Sequence, residues 1–194
     1  MRVLGVVGSL RPDSHNLRLL RAAADELPPG VELVVFEELK AVEPFDETDE
    51  HETGGGMPGA DAFIAAIRDA DAVLFATPEY NGSIPGVLKN AIDWASRPTP
   101  ATSPLAGKPV AVIGASTGSF GAVWAQAELR KALGLAGARV LDHELAVPTA
   151  HEAFTEDGRL MRGGSKRRLR QIFADFAAEV RDAPAPEPEA ARVA

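Results

Sequence analysis

Across residues 72–96 the hydropathy pattern changes twice, and that double change limits the folds open to the chain. Ala72, Val73, Leu74, Phe75 and Ala76 form an unbroken apolar run, which suits a strand covered on both faces. Pro78, Asn81 and Gly82 end it with residues that favour turns. Ser83 has the side chain of an N-cap, and Pro85 then falls just inside a helix, where its missing N–H costs nothing. Val87, Leu88, Ala91, Ile92 and Ala95 share one face of that helix. A doubly covered strand, a polar turn and a helix make one unit of a parallel α/β sheet. Its loop, Pro78-Glu79-Tyr80-Asn81-Gly82, is expected beyond the carboxyl end of the strand, the edge where such sheets take ligands. Backbone donors, one aromatic ring and one carboxylate suit a flat heteroaromatic ring better than a phosphate.

The rest of the chain repeats the unit. Further β-runs lie at 3–7, 31–36, 110–114 and 139–141. Helical patterns begin near Ser14, span about 60–70 and 122–133, and close the chain with Leu169, Ile172, Phe173, Phe176 and Val180. Residues 37–59 read as a long surface loop and 146–164 as irregular. Five strands alternating with five helices predict a doubly wound parallel sheet with helices on both faces, in the flavodoxin-like order 2-1-3-4-5. One domain over 1–181 and a disordered Pro/Ala/Glu-rich tail over 182–194 complete the expected organisation.

Composition excludes several functions. A net charge of −8 argues against nonspecific binding to nucleic acid or to an anionic membrane. With no cysteine there is no thiolate nucleophile and no disulfide framework. The apolar run at 3–7 is too short for a signal peptide, and no segment reaches membrane-spanning length, so a cytoplasmic protein is expected. His15, His51, His143 and His151 have no metal-ligand spacing. His51 reads as solvated in its acidic loop, and Lys166-Arg167-Arg168 as a solvated helix start.

Two more loops belong at the same sheet edge. In Gly8-Ser9-Leu10-Arg11-Pro12-Asp13-Ser14-His15-Asn16, hydroxyls, an amide and a guanidinium precede a helix N-terminus, a good cradle for a phosphate. It is neither a Walker loop nor a GxGxxG turn. In 114–121, glycines around Ser116 and Thr117 let a ligand approach the backbone.

The segments GSLRPDSHN, PEYNGSIPGVLKNAIDW and GKPVAVIGASTG, in this order and spacing, resemble the NADPH-dependent FMN reductase family, which includes quinone, azo-compound and chromate reductases. The resemblance covers about 1–181. It implies FMN held non-covalently, NADPH or NADH as electron donor, and a homodimer or homotetramer. Carried over by position, Ser9, Arg11, Ser14, His15 and Asn16 would surround the FMN phosphate. Pro78, Glu79, Tyr80, Asn81 and Gly82 would line the flavin ring, and Ser116, Thr117 and Gly118 would close its other edge. The implied activity moves hydride from NAD(P)H to flavin N5 and then reduces a small acceptor such as a quinone, by a ping-pong mechanism with no protein acid or nucleophile and no metal. A non-enzymatic electron carrier of flavodoxin type is the alternative; it would share the fold and the acidity, but usually covers the ring with aromatics. Many family members continue the third loop with Gly-Gly and then Arg two residues on, whereas this chain has Gly121-Ala122 and then Trp124, a candidate interface residue.

Overall fold

The computed structural model describes residues 1–52 and 57–182. The expected 182–194 tail apart from Asp182, the Gly54-Gly55-Gly56 run and the side chain of His51 lie outside them. The strands are β1 (Arg2–Val7), β2 (Glu32–Phe36), β3 (Ala72–Thr77), β4 (Pro109–Ala115), β5 (Arg139–Val140) and β6 (Leu145–Val147). The helices are α1 (His15–Ala23), α2 (Glu47–Glu52), α3 (Pro58–Arg68), α4 (Gly86–Ala95), α5 (Val123–Leu135) and α6 (Gly163–Arg181).

All strand pairs are parallel, in the order β2-β1-β3-β4-β5, so the expected topology holds. The strand count does not. β5 pairs with β4 only at Pro109 and Val110, and β6 takes over the same edge at Ile113, Gly114 and Ala115. The edge strand is thus split, and part of the stretch read as irregular is sheet. Three residues are too few to show a period, which is why the pattern alone missed them.

Alternation along the central strands feeds two cores. Leu74, Ala111 and Ile113 face Leu19 and Leu20 of α1 and Leu169, Phe173 and Phe176 of α6. Val73, Phe75, Val110 and Val112 face Phe63 and Ile67 of α3, Leu88 and Ile92 of α4, and Leu129 and Leu133 of α5. Every residue of β3 and β4 is buried, as a strand covered on both faces must be.

Two further expectations are corrected, one at a helix start and one in a loop. α4 begins at Gly86 with Pro85 in the cap position, so Ser83 is not its N-cap; the Ser83 hydroxyl instead donates to the Glu128 carboxylate on α5. The stretch 37–59 is more structured than a surface loop, carrying a 3-10 turn at Leu39–Ala41 and α2. It is pinned to α4: Asn90 Nδ2 and Trp94 Nε1 donate to the Glu43 carbonyl at 2.8 and 2.9 Å. The Glu43 carboxylate accepts from Gly59 and Ala60 N–H at 3.2 and 3.0 Å, capping α3 from outside the helix. No helix among the described residues is long and apolar enough to cross a membrane.

Candidate functional site

The loops after β1, β3 and β4 meet at the carboxyl edge of the sheet, where the strand order reverses beside β1. Between them lies a cavity of about 200 Å³ lined by Ser9, Arg11, Ser14, His15, Asn16, Pro78, Glu79, Tyr80, Ala115, Ser116 and Thr117. Asn81, Gly82 and Gly118 are not in this lining. Ala115 joins it: expected in the loop after a strand ending at 114 and not among the expected site residues, it is the last residue of β4.

In the first loop, Gly8 N–H extends the β1–β3 ladder to Ala76 O at 2.9 Å. A Cβ on Gly8 would lie 2.9 Å from Leu88 Cδ2 and 3.2 Å from Pro78 Cδ, so this loop runs flush against the second. Ser14 is the N-cap of α1, its Oγ accepting from Asn16 N–H at 3.2 Å. The N–H groups of a first helical turn have no partner within the helix and attract an anion. Asn16 does more than sit beside that end. Its Nδ2 donates to Ala115 O at 2.9 Å and its Oδ1 accepts from Ala115 N–H at 2.8 Å, all buried, so one amide ties the first loop to the third.

The electrostatics of this corner are those of an anion site. Burial lowers the His15 pKa, and Arg18, Arg11 and His151 lower it further against the opposing pull of Asp13. The same positive surroundings that repel a proton from the imidazole would favour a phosphate. Arg11 is exposed and forked onto Asp13, Nε to Oδ1 at 3.0 Å and Nη2 to Oδ2 at 2.8 Å, so its charge is already partly matched. His15 Nδ1 is buried and has no hydrogen-bond partner among the described residues. An orphaned buried nitrogen at a basic helix start fits a phosphate-bearing ligand.

The second loop turns in a two-residue hairpin. Tyr80 N–H donates to Ser83 O at 3.0 Å and Ser83 N–H to Tyr80 O at 3.1 Å, with φ of 54° at Asn81 and 76° at Gly82. Positive φ at both central residues is the type I′ geometry that Asn-Gly favours. The dipeptide could have announced this turn from the sequence. It also puts Asn81 and Gly82 at the exposed tip, while Pro78, Glu79 and Tyr80 face the cavity.

Glu79 has a role that no local pattern signals. Its Oε2 accepts from Trp124 N–H at 3.1 Å and Ala125 N–H at 3.2 Å, so it caps α5 from another loop. α5 needs this because its own cap residue, Ala122, has no side-chain acceptor and sits in the left-handed region at φ 65°. Glu79→Ala is expected to cost about 1–2 kcal/mol of stability, and Glu79→Gln less than half of that, because an amide oxygen can still accept both N–H groups. Equal melting temperatures for the two variants would show that the contact carries no cap energy.

The third loop hangs on β6 and the turn after it. Ser116 N–H donates to Val147 O at 3.0 Å, Ala150 N–H to Ser116 O at 3.0 Å, and Thr149 N–H to Gly118 O at 3.2 Å. Gly118 N–H reaches Ser116 Oγ at 3.2 Å. Beyond it, Phe120 and Trp124 are exposed and pack on each other, ring centres 4.8 Å apart.

The NADPH-dependent FMN reductase family model matches residues 1–152. An NAD(P)H-dependent FMN reductase of Pseudomonas aeruginosa is 42% identical over 172 residues, covering 88% of this chain and 90% of that protein. A 2-hydroxy-1,4-benzoquinone reductase of a Burkholderia species is 36% identical over 185 residues, covering 94% and 97%. Among solved structures, the flavoenzyme NAD(P)H:(acceptor) oxidoreductase FerB of Paracoccus denitrificans superimposes with a TM-score of 0.81 at 31% identity, covering 93% of this chain and 97% of that one. With its fold, its three-loop cavity and these likenesses together, the chain belongs to the NADPH-dependent FMN reductase family.

Proposed function

We propose that the protein uses NAD(P)H to reduce quinones or similar small acceptors, alternating donor and acceptor at one open face of FMN held where the three loops meet. The observation that carries this reading is the asymmetry of the cavity. Its α1 end is basic and holds the unpartnered His15 Nδ1, whereas its other end carries Tyr80 at 49% exposure. Bound there, FMN supplies a two-electron carrier that no side chain of these loops provides.

The chain's own groups divide the remaining work. Ser9, Ser14, His15 and the first N–H groups of α1 hold the phosphate, with Arg11 adding charge from the rim. Asn16 acts mainly by holding Ala115, and with it the third loop, in place. Pro78, Glu79 and Tyr80 wall the ring on one side, Asn81 and Gly82 shape the hairpin that presents them, and Ser116, Thr117 and Gly118 close the opposite edge. The half-exposed Tyr80 leaves an open mouth rather than the aromatic cover of a pure electron carrier. Exposed Phe120 and Trp124 beside that mouth support a homodimer or homotetramer, and the cytoplasm is the proposed location.

One mouth cannot hold donor and acceptor together. Steady-state lines for NADPH varied against a quinone should therefore be parallel; intersecting lines would require separate sites and overturn the single-face reading. The phosphate placement has its own test. By NMR, His15 of the flavin-free protein should titrate below its ordinary 6.5, because of burial and its basic neighbours. With FMN bound its pKa should rise, since an anion favours the protonated ring. A pKa unchanged by FMN would remove His15 from the phosphate site.

A further inference from the structure

A second cleft, of about 340 Å³, opens beside the first between the carboxyl ends of β1 and β2. Ser9 and Arg11 line both, so the two form one continuous depression. The proposed FMN site leaves the remainder of this cleft unused. Its charge runs against that of the whole chain: Arg11, Arg21 and Lys40 line it with Glu37 as its one carboxylate, in a protein of net charge −8. Arg11 is engaged by Asp13, but neither the Arg21 nor the Lys40 side chain has an acidic partner among the described residues. The walls are apolar, with Leu10, Phe36 and Leu39 among them, and Leu10 is left 44% exposed.

Apolar walls with unmatched cations at the rim suit a flat base carrying a phosphate. Glu37 directly follows the last residue of β2 and offers an acceptor to a sugar hydroxyl, the place a carboxylate takes in parallel sheets that bind a nucleotide ribose. We propose that this cleft receives the adenosine end of the reduced dinucleotide donor, with its 2′-phosphate against Arg21 and Lys40. The proposal rests on the reading that FMN and the donor meet at the adjoining cavity, and it implies a preference for NADPH over NADH set by two residues outside that cavity.

The test titrates adenosine 2′,5′-bisphosphate, adenosine 5′-monophosphate and inorganic phosphate into the protein by calorimetry, with and without FMN. Arg21→Ala, Lys40→Ala and the double variant are compared with the parent chain. The bisphosphate should bind more tightly than either other probe, and the double variant should weaken it about tenfold or more, the scale of losing charge-assisted contacts. With holoenzyme, KM for NADPH should rise by a similar factor, while KM for NADH, kcat and FMN retention stay as in the parent. Unchanged bisphosphate affinity in the double variant would overturn the proposal. So would inorganic phosphate binding as tightly as the bisphosphate, or equal rises in KM for NADPH and NADH, since either means the cations act without reading the adenosine phosphate. If the protein fails to take up FMN but still binds the bisphosphate through Arg21 and Lys40, the flavin placement fails and the cleft assignment stands.

Discussion

Asn16→Ala should lower the melting temperature by roughly 5–15 °C and strip FMN from the protein on dialysis. Asn16 is 2% exposed and gives both ends of its amide to Ala115, itself 2% exposed. Truncation leaves a buried N–H and a buried carbonyl unpaired, at about 1–3 kcal/mol each. For a chain of this size, each kcal/mol lost shifts the midpoint by about 2–4 °C. The bond spans 99 residues of sequence, so its loss also frees the phosphate loop from the loop that closes the far edge. Asn16→Asp should be nearly as damaging: its carboxylate still accepts from Ala115 N–H but meets the Ala115 carbonyl without a proton to donate. Calorimetric melting and flavin absorbance after dialysis measure both effects. A melting point within about 2 °C of the parent would mean the amide is replaced by water at little cost.

Gly121→Ala should be comparably destructive. At φ 61° an alanine costs about 1–2 kcal/mol in backbone strain alone. Here a Cβ would also lie 2.7 Å from Val147 N, 2.8 Å from Ala146 C and 2.9 Å from Pro148 N. All three are backbone atoms, so relief requires moving β6, which holds Ser116. Overpacking of this kind adds about 1–3 kcal/mol, for a total of roughly 2–5 kcal/mol. Gly82→Ala is the control, because φ there is 76° but no atom of the described residues lies within 4 Å of the new Cβ. It should lose only the backbone strain, about 1–2 kcal/mol. Similar losses at the two glycines, read from denaturant midpoints, would show that β6 yields without resistance. Loss of FMN from Gly121→Ala alone is the expected signature at the site.

These cases also separate what the sequence carried by itself from what folding decided. Local periodicity determined the alternation of strands and helices, because a strand buried on both faces and an amphipathic helix each write their pattern within a few residues. β3 and β4 are that kind of strand, and the order β2-β1-β3-β4-β5 is the flavodoxin-like one that five alternating strands and helices led us to expect. The helical pattern placed the start of α1 near Ser14, which the structure makes its N-cap, and three motifs marked the loops that share one cavity. β6, the capping of α5 by Glu79 and the clasp of Asn16 on Ala115 were decided by the tertiary structure alone. β6 has three residues and exists because β4 offers it an edge. Glu79 and Asn16 act on backbone groups 45 to 99 residues away, and a side chain's partner at that distance is set by how the loops pack. Ala122 shows the same division from the other side: its type argues against a left-handed conformation, yet it holds φ 65° because α5 must start there and Glu79 supplies the cap.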